Sequence, residues 1–255
     1  MIATDITIVS TYATDRIYDA TGNWIWDQQG GPCLFIVDAM QHQRISYRTL
    51  TPAKKALVDI KLDKAGEIGT VKSIPAFEVD WSSITSPYLL ISTLLDEISL
   101  IKIEMYNGKI CLDVQGFVRK ARSDDRTTWT MPHGLYENCF CLKATEEELE
   151  YMPSRFVEQQ KQKLLVVTRG PRGVEYWEKG KHKEAFPKEI IACSETIGAG
   201  DTFFCKCGCW TIPERISGCS YKQQSAYDLC FSKKEISIHD LLALFADSLA
   251  LDQSG

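Results

Sequence analysis

The sequence predicts an α/β fold: three layers around a doubly wound, mainly parallel sheet, with a small β lid. Two observations carry this expectation. From Tyr88 onward, short apolar runs alternate with amphipathic stretches, as buried parallel strands alternate with the helices that cover them. Between Arg44 and Ile74 the texture differs, with strand-like runs flanking a turn at Asp63–Glu67, which describes a meander or lid. At 255 residues the chain is long enough to bury an ordinary core without staples. One domain over 1–255 is expected, with lid strands drawn from about 11–30 and 44–75.

Taken in order, Asp5–Ser10 is β-branched and alternating, a strand that delivers Thr11–Asp19 into a loop. A second short strand follows at Asn23–Asp27, where Trp24 and Trp26 share one face. Gln28–Pro32 then turns the chain into a helix over Cys33–Met40, with Pro32 suited to a first helical position. Ala56–Leu62 and Ile68–Val71 flank a turn at Asp63–Glu67, which reads as a hairpin. Strands are expected at Tyr88–Ser92, Lys109–Val114, Asn138–Lys143 and Lys163–Thr168, with helices over Leu94–Met105 and Thr145–Gln162. A hairpin over Gly173–Phe186 and a strand at Ile190–Cys193 lead to a glycine-rich turn, and Thr202–Trp210 and Ser237–Ala250 read as helices.

Composition narrows the function. The chain is 44% hydrophobic and 25% charged with a net charge of -5, so no broad cationic surface is available to nucleic acid or to acidic lipid. The most apolar segments are interrupted well before the roughly 20 residues of a membrane span. No amino-terminal stretch has the layout of an export signal, so the ten cysteines are expected as reduced, buried thiols in a cytoplasmic protein.

The most informative segment is Ser194-Glu-Thr-Ile-Gly-Ala-Gly-Asp-Thr202. Gly198 and Gly200 permit close backbone approach, and the helix start beyond them aims unsatisfied N–H groups at an anion, for which phosphate is the natural guest. Asp201 beside that guest can take the proton of an attacking hydroxyl while the amides of Gly198, Ala199 and Gly200 stabilise developing charge. It can equally cap the helix and do nothing else. The segment lacks the Lys-Ser or Lys-Thr of a P-loop, and Phe203 stands where a dinucleotide fingerprint needs its third glycine.

With Glu195-Thr-Ile-Gly-Ala-Gly-Asp201 in view, the sequence resembles the ribokinase-like, or PfkB, family of carbohydrate and nucleoside kinases, whose signature is Asp-Thr-x-Gly-Ala-Gly-Asp. Other pieces match in the family's order. Asp15 resembles its aspartate for substrate hydroxyls, and Gly30-Gly31 its paired glycines at the sugar site. Leu112-Asp-Val-Gln-Gly-Phe-Val-Arg119 is similar to its Asp-Pro-Asn/Gln-Gly-x-x-Arg strand end. Val167-Thr-Arg-Gly-Pro-Arg-Gly173 resembles the segment along the nucleotide, which assigns Thr168, Gly170 and Gly173 to ATP. By the same resemblance Asp201 is the general base and Gly198, Ala199 and Gly200 form the anion hole. Glu148 stands at the magnesium-holding glutamate and Thr145 replaces an asparagine at the nucleotide. Mg2+ is a hard cation that keeps much of its water, so a carboxylate acting through water suits it; three adjacent glutamates in a first helical turn also favour the helix dipole with no metal. The resemblance implies ATP-dependent phosphorylation of a sugar hydroxyl, with a nucleoside acceptor or a degenerate, non-catalytic binder as alternatives, and a homodimer through the lid. Glu195, Thr145 and the shortened stretch between Gly31 and Leu50 depart from the family pattern.

Other reactive residues read as structural. Cys139-Phe-Cys141 and the 205–209 cysteines lack the paired spacers of zinc knuckles, and alternate residues of a strand share a face. His42, His133, His182 and His239 are scattered, and Arg119 and Arg169 are expected as solvated strand-end residues, with phosphate contact as the alternative.

Overall fold

The computed structural model describes residues 6–42, 45–63, 66–186 and 197–210. The chain begins with β1 (Ile6–Ser10), β2 (Ala13–Tyr18), β3 (Trp24–Gly30), helix α1 (Pro32–His42), β4 (Tyr47–Leu50), β5 (Ala56–Asp63) and β6 (Gly66–Ser73). It continues through β7 (Tyr88–Ser92), β8 (Lys109–Asp113), α2 (Gln115–Val118), α3 (Leu135–Asn138), β9 (Cys139–Thr145), α4 (Glu146–Leu149) and α5 (Ser154–Lys161). The last described elements are β10 (Leu164–Thr168), β11 (Val174–Glu178), β12 (Lys181–Ala185) and α6 (Ala199–Trp210).

Eight strands form one sheet in the order β12-β11-β10-β9-β8-β7-β1-β4. All its pairings are parallel except those of the β10-β11-β12 meander. Both faces of β1 and β7 are buried, so their sequences are mostly apolar, with only Thr7, Ser10 and Ser92 polar, as a sheet covered on two sides demands. Ile6, Ile8 and Leu90 point toward α1 and α6, where they pack with Ile36, Phe203 and Phe204. Val9, Leu89 and Ile91 point the other way, toward Phe117, Trp129 and Phe156. These two apolar layers sandwich the sheet.

A second sheet has the order β3-β2-β5-β6. Its alternating strand β2 turns Ala13 and Ile17 onto Ala56, Val58, Ile60 and Leu94, a third small core with Ile197 packed against it. This is the lid, and the range 44–75 expected for it divides: Tyr47–Leu50 pairs with β1 at the edge of the main sheet instead.

Several expected elements take a different form. No helix forms over Leu94–Met105. The Glu97 carboxylate accepts the backbone N–H groups of Leu94 and Leu95 and the Thr11 hydroxyl, offering that backbone an alternative to helix, and Asp96 and Lys102 adopt left-handed conformations. Only Ile103–Met105 makes a 3-10 turn there. The helix expected over Thr145–Gln162 is two helices, separated at Met152 and Pro153, because proline restricts the residue before it and cannot donate an amide to a continuing helix. Helix α6 starts at Ala199 rather than Thr202, so Asp201 lies inside its first turn. Cys139 and Cys141 face opposite cores, since a register shift between Ile110 and Cys111 makes a bulge at Phe140 that breaks the alternation. Cys33, Cys111, Cys139, Cys141, Cys205 and Cys207 are buried. The expected strand at Ile190–Cys193, Glu195, the helix at Ser237–Ala250 and His239 lie outside the described residues.

Candidate active site

Ser10 and Ser92 are register partners at the ends of β1 and β7, on the face that carries α1 and α6. Asp201 projects from the first turn of α6 onto this edge. Its Oδ1 accepts from the Ser92 hydroxyl at 3.2 Å and from Gln115 Nε2 at 2.9 Å. Gln115 is itself fixed at three points: its backbone N–H donates to Asp113 Oδ1 at 3.2 Å, its Oε1 accepts from Arg119 at 3.3 Å, and its Nε2 lies 3.4 Å from Ser92 Oγ. Burial raises the proton affinity of Asp201 above the ordinary carboxylate range, while Lys143, Arg119 and these two hydrogen bonds hold it back.

Lys143 stands in the middle of this arrangement. It is the register partner of Asp113, and its ammonium reaches both Asp113 oxygens, at 3.0 and 3.2 Å. Both side chains are buried, with exposures of 3% and 0%. Burial raises Asp113 and opposes the Lys143 charge, yet Asp113, Glu148 and Asp201 together outweigh that cost and keep the ammonium protonated. A Cβ on Gly200 would meet Lys143 Nζ at 3.4 Å, so the cation lies directly beneath the turn that opens α6. Gly198 has φ +79°, and a side chain there would collide with the Phe35 ring of α1. Glycine is required on both counts.

Glu148 is buried, and with Thr145 it makes a capping box: Thr145 N donates to Glu148 Oε2 at 2.8 Å, and Glu148 N donates to Thr145 Oγ1 at 3.2 Å. Its Oε1 makes no hydrogen bond among the described residues. A hard cation needs such an oxygen, and Glu148 with its neighbour Thr145 fits a hydrated Mg2+. Thr168 is the register partner of Thr145, and the chain beyond it turns through Gly170 and Gly173, both at positive φ. These four residues line one side of the sheet's carboxyl edge.

On the opposite side, at the lid, lie Asp15, Gly30 and Gly31. The Asp15 carboxylate presses against the Cα of Gly30, where any side chain would displace it. Gly31 at φ +84° brings the chain within 2.6 Å of Thr11 O, measured from where a Cβ would be. Asp15 is 3% exposed with no hydrogen-bond partner among the described residues, and burial pushes it up to about 6. The α1 and α6 amino termini meet through Phe35 and Gly198, and Ile197 packs on the lid core, which joins the two sides of the site.

Sequence reasoning gave no role to Lys143, Ser92 or Gln115. The signal for Lys143 was present: a lysine inside the apolar run Cys139–Ala144 must find a counter-ion, and Asp113 ends the preceding strand. Arg119 and Arg169 are only partly exposed and have protein partners. Arg119 bonds Gln115, and Arg169 pairs with Glu184 at 3.0 Å and lies 3.8 Å from Glu175. His182 has partners as well, Glu175 at 2.6 Å and the face of Trp177.

No family model matches the sequence, and no curated protein sequence matches it. Solved structures do. A pyrophosphate-dependent kinase in the ribokinase family, complexed with a pyrophosphate analog and myo-inositol, is similar at a TM-score of 0.59 and 16% identity, covering 79% of this chain and 85% of its own. Ribokinase from Thermotoga maritima gives 0.57 and 16%, covering 80% and 84%. A structure described as Sa239 gives 0.65 and 12%, covering 99% of this chain and 95% of that one. The chain therefore has the ribokinase-like fold, with its mostly parallel eight-stranded sheet and second small sheet. No helix among the described residues is long and apolar enough to cross a membrane.

Proposed function

We propose that this chain is a small-molecule kinase that transfers the terminal phosphoryl group of ATP to a hydroxyl of a sugar. The observation that carries the reading is Asp201: a carboxylate in the first turn of α6, tethered through one oxygen by Ser92 and Gln115, beside the Gly198–Gly200 backbone that opens the helix. The tethered oxygen fixes direction and the other accepts the proton of the acceptor hydroxyl. As the new O–P bond forms and the bond to the leaving diphosphate breaks, the amides at Gly198, Ala199 and Gly200 and the Lys143 ammonium beneath them offset the charge on the transferring group. Thr168, Gly170 and Gly173 flank the nucleotide. Glu148 and Thr145 would hold Mg2+, which supplies Lewis-acid neutralisation of the phosphates when bound.

At the lid, Asp15 would receive sugar hydroxyls against the bare backbone of Gly30 and Gly31. A buried carboxylate without partners is costly unless a ligand satisfies it, and a polyol does so without importing another charge. A nucleoside acceptor is the alternative within the same chemistry. The lid also exposes Trp24 at 60%, Ile25 at 40% and Trp26 at 37% along its edge strand β3, where a register shift opposite Ile17 and Tyr18 turns the two tryptophans to different faces instead of the single face expected, and a homodimer formed along this edge would cover them. We assign the protein to the cytoplasm on its many buried cysteines.

The test is a panel of sugars and nucleosides assayed for phosphorylation with ATP and, because a neighbouring fold uses it, with pyrophosphate. Sugar-dependent release of ADP is expected, and Asp201→Asn should lower it by about 10³-fold or more while still binding nucleotide. Undiminished turnover by Asp201→Asn overturns the assignment of the base; turnover of nucleosides alone overturns the acceptor.

A further inference from the structure

The hairpin β11–β12, at the outer edge of the large sheet, carries a group of side chains that the proposed transfer does not use. Glu175 stands opposite Glu184, and Trp177 opposite His182. Alternate residues of a strand share a face, so all four project to one side of the hairpin. Two carboxylates opposed across neighbouring strands repel, and the pair persists only where cations offset it. Arg169 offsets one of the two charges: its guanidinium bonds Glu184 Oε1 at 3.0 Å and lies 3.8 Å from Glu175 Oε2.

Each carboxylate keeps a second oxygen outside that contact. Glu175 Oε1 meets His182 Nε2 at 2.6 Å, and Glu184 Oε2 has no hydrogen-bond partner among the described residues. The imidazole is held in this orientation by Trp177, whose ring stacks on it with centroids 4.6 Å apart and planes at 28°. Glu175, His182 and Glu184 thereby bring one ligating atom each to within 4.8 Å of one another. No other trio of His, Cys, Asp or Glu side chains among the described residues does so.

We propose that Glu175, His182 and Glu184 form a site for one Zn2+ that clips β11 to β12, with Arg169 bracing the two carboxylates from outside the metal shell. Three protein ligands and one water make the four-coordinate shell that zinc favours, and a ligating carboxylate is commonly held by a second group in this way. The imidazole decides the metal. Mg2+ takes oxygen ligands and keeps its water, so this site is chemically distinct from Glu148 and Thr145. As the metal takes the Nε2 lone pair, any proton there leaves to solvent, and the exposed ring has room to draw back from Glu175 to bonding distance. Glu175 follows Gly173 by two residues, so the clip anchors the strand that leaves the turn at Thr168–Gly173.

Co2+, which takes the place of zinc in such sites and reports its ligands by colour, tests the proposal in the full chain without requiring turnover. Titration in excess Mg2+ should give visible bands of nitrogen and oxygen ligation that Zn2+ then bleaches. His182→Gln and Glu184→Gln, both at exposed positions, should keep the metal-free melting temperature and weaken Co2+ binding more than about 10-fold. Zn2+ should also raise the melting temperature of the wild type and leave that of His182→Gln where it is. A cobalt spectrum that His182→Gln leaves unchanged overturns the site, as does a His182-dependent band arising from sulfur. Loss of the bands in excess Mg2+ overturns the choice of metal.

Discussion

Asp15 in the lid is buried and Asp201 on α6 is partly buried, and their surroundings treat them oppositely. Asp201 accepts hydrogen bonds from Ser92 and Gln115, and Lys143, paired with Asp113, lies close enough to favour its charge. Asp15 has burial and nothing else, and its proton affinity rises to about 6. The contrast separates two jobs. A base must keep one geometry and stay ionised through a catalytic cycle, so its environment is complete before any ligand arrives. A group that recognises hydroxyls can be left incomplete, because the ligand finishes it.

The comparison breaks most visibly at Lys143. Replacing it with methionine leaves Asp113 buried and uncompensated, and chemical unfolding should show a loss of about 3–5 kcal/mol. Pairing Lys143→Met with Asp113→Leu should recover much of that loss, because two apolar groups strand no charge. A full loss in the double variant would show that the pair is needed for shape rather than for charge balance.

The lid side behaves in the reverse sense. Because Asp15 has a higher pKa folded than the ordinary 3.8, the native state holds the extra proton between about pH 4 and 6, and stability falls as pH rises through that window. Asp15→Asn should flatten this slope and, at pH 7.5, stabilise the protein by up to about 3 kcal/mol while weakening acceptor binding. Melting profiles across pH measure both; a profile for Asp15→Asn that still declines between pH 4 and 6 removes Asp15 as the cause.

Gln115→Ala sharpens the comparison from within the network. It removes one of the two tethers on Asp201 without touching an ion pair, so kcat should drop by about 10-fold with KM little altered. An equal rise in KM would mean that Gln115 contacts the acceptor rather than orienting the base.

Much of the fold was legible because its signals are local. Buried parallel strands such as Tyr88–Ser92 and Leu164–Thr168 are unbroken apolar runs, and Pro32 and the glycines at 198 and 200 mark the starts of helices. What failed was set by distant contacts. The segment Leu94–Met105 has helical spacing, but Glu97 finds better partners in Thr11 and in its own backbone, a competition no window of sequence reveals. The bulge at Phe140 depends on the register of β8. In the candidate site, Asp201 and the glycine turn were readable from their motif, whereas the Lys143–Asp113 pair emerges only when neighbouring strands bring the two residues into register.

The order of the small sheet has a consequence for engineering. Its central neighbours β2 and β5 run parallel, and α1 and β4 of the main body lie between them in the chain. The lid is thus woven from two separate stretches, and no single cassette can be cut out and exchanged. Grafting a new acceptor preference from a relative would require transplanting both stretches together, with the first helix passing through the scaffold unchanged.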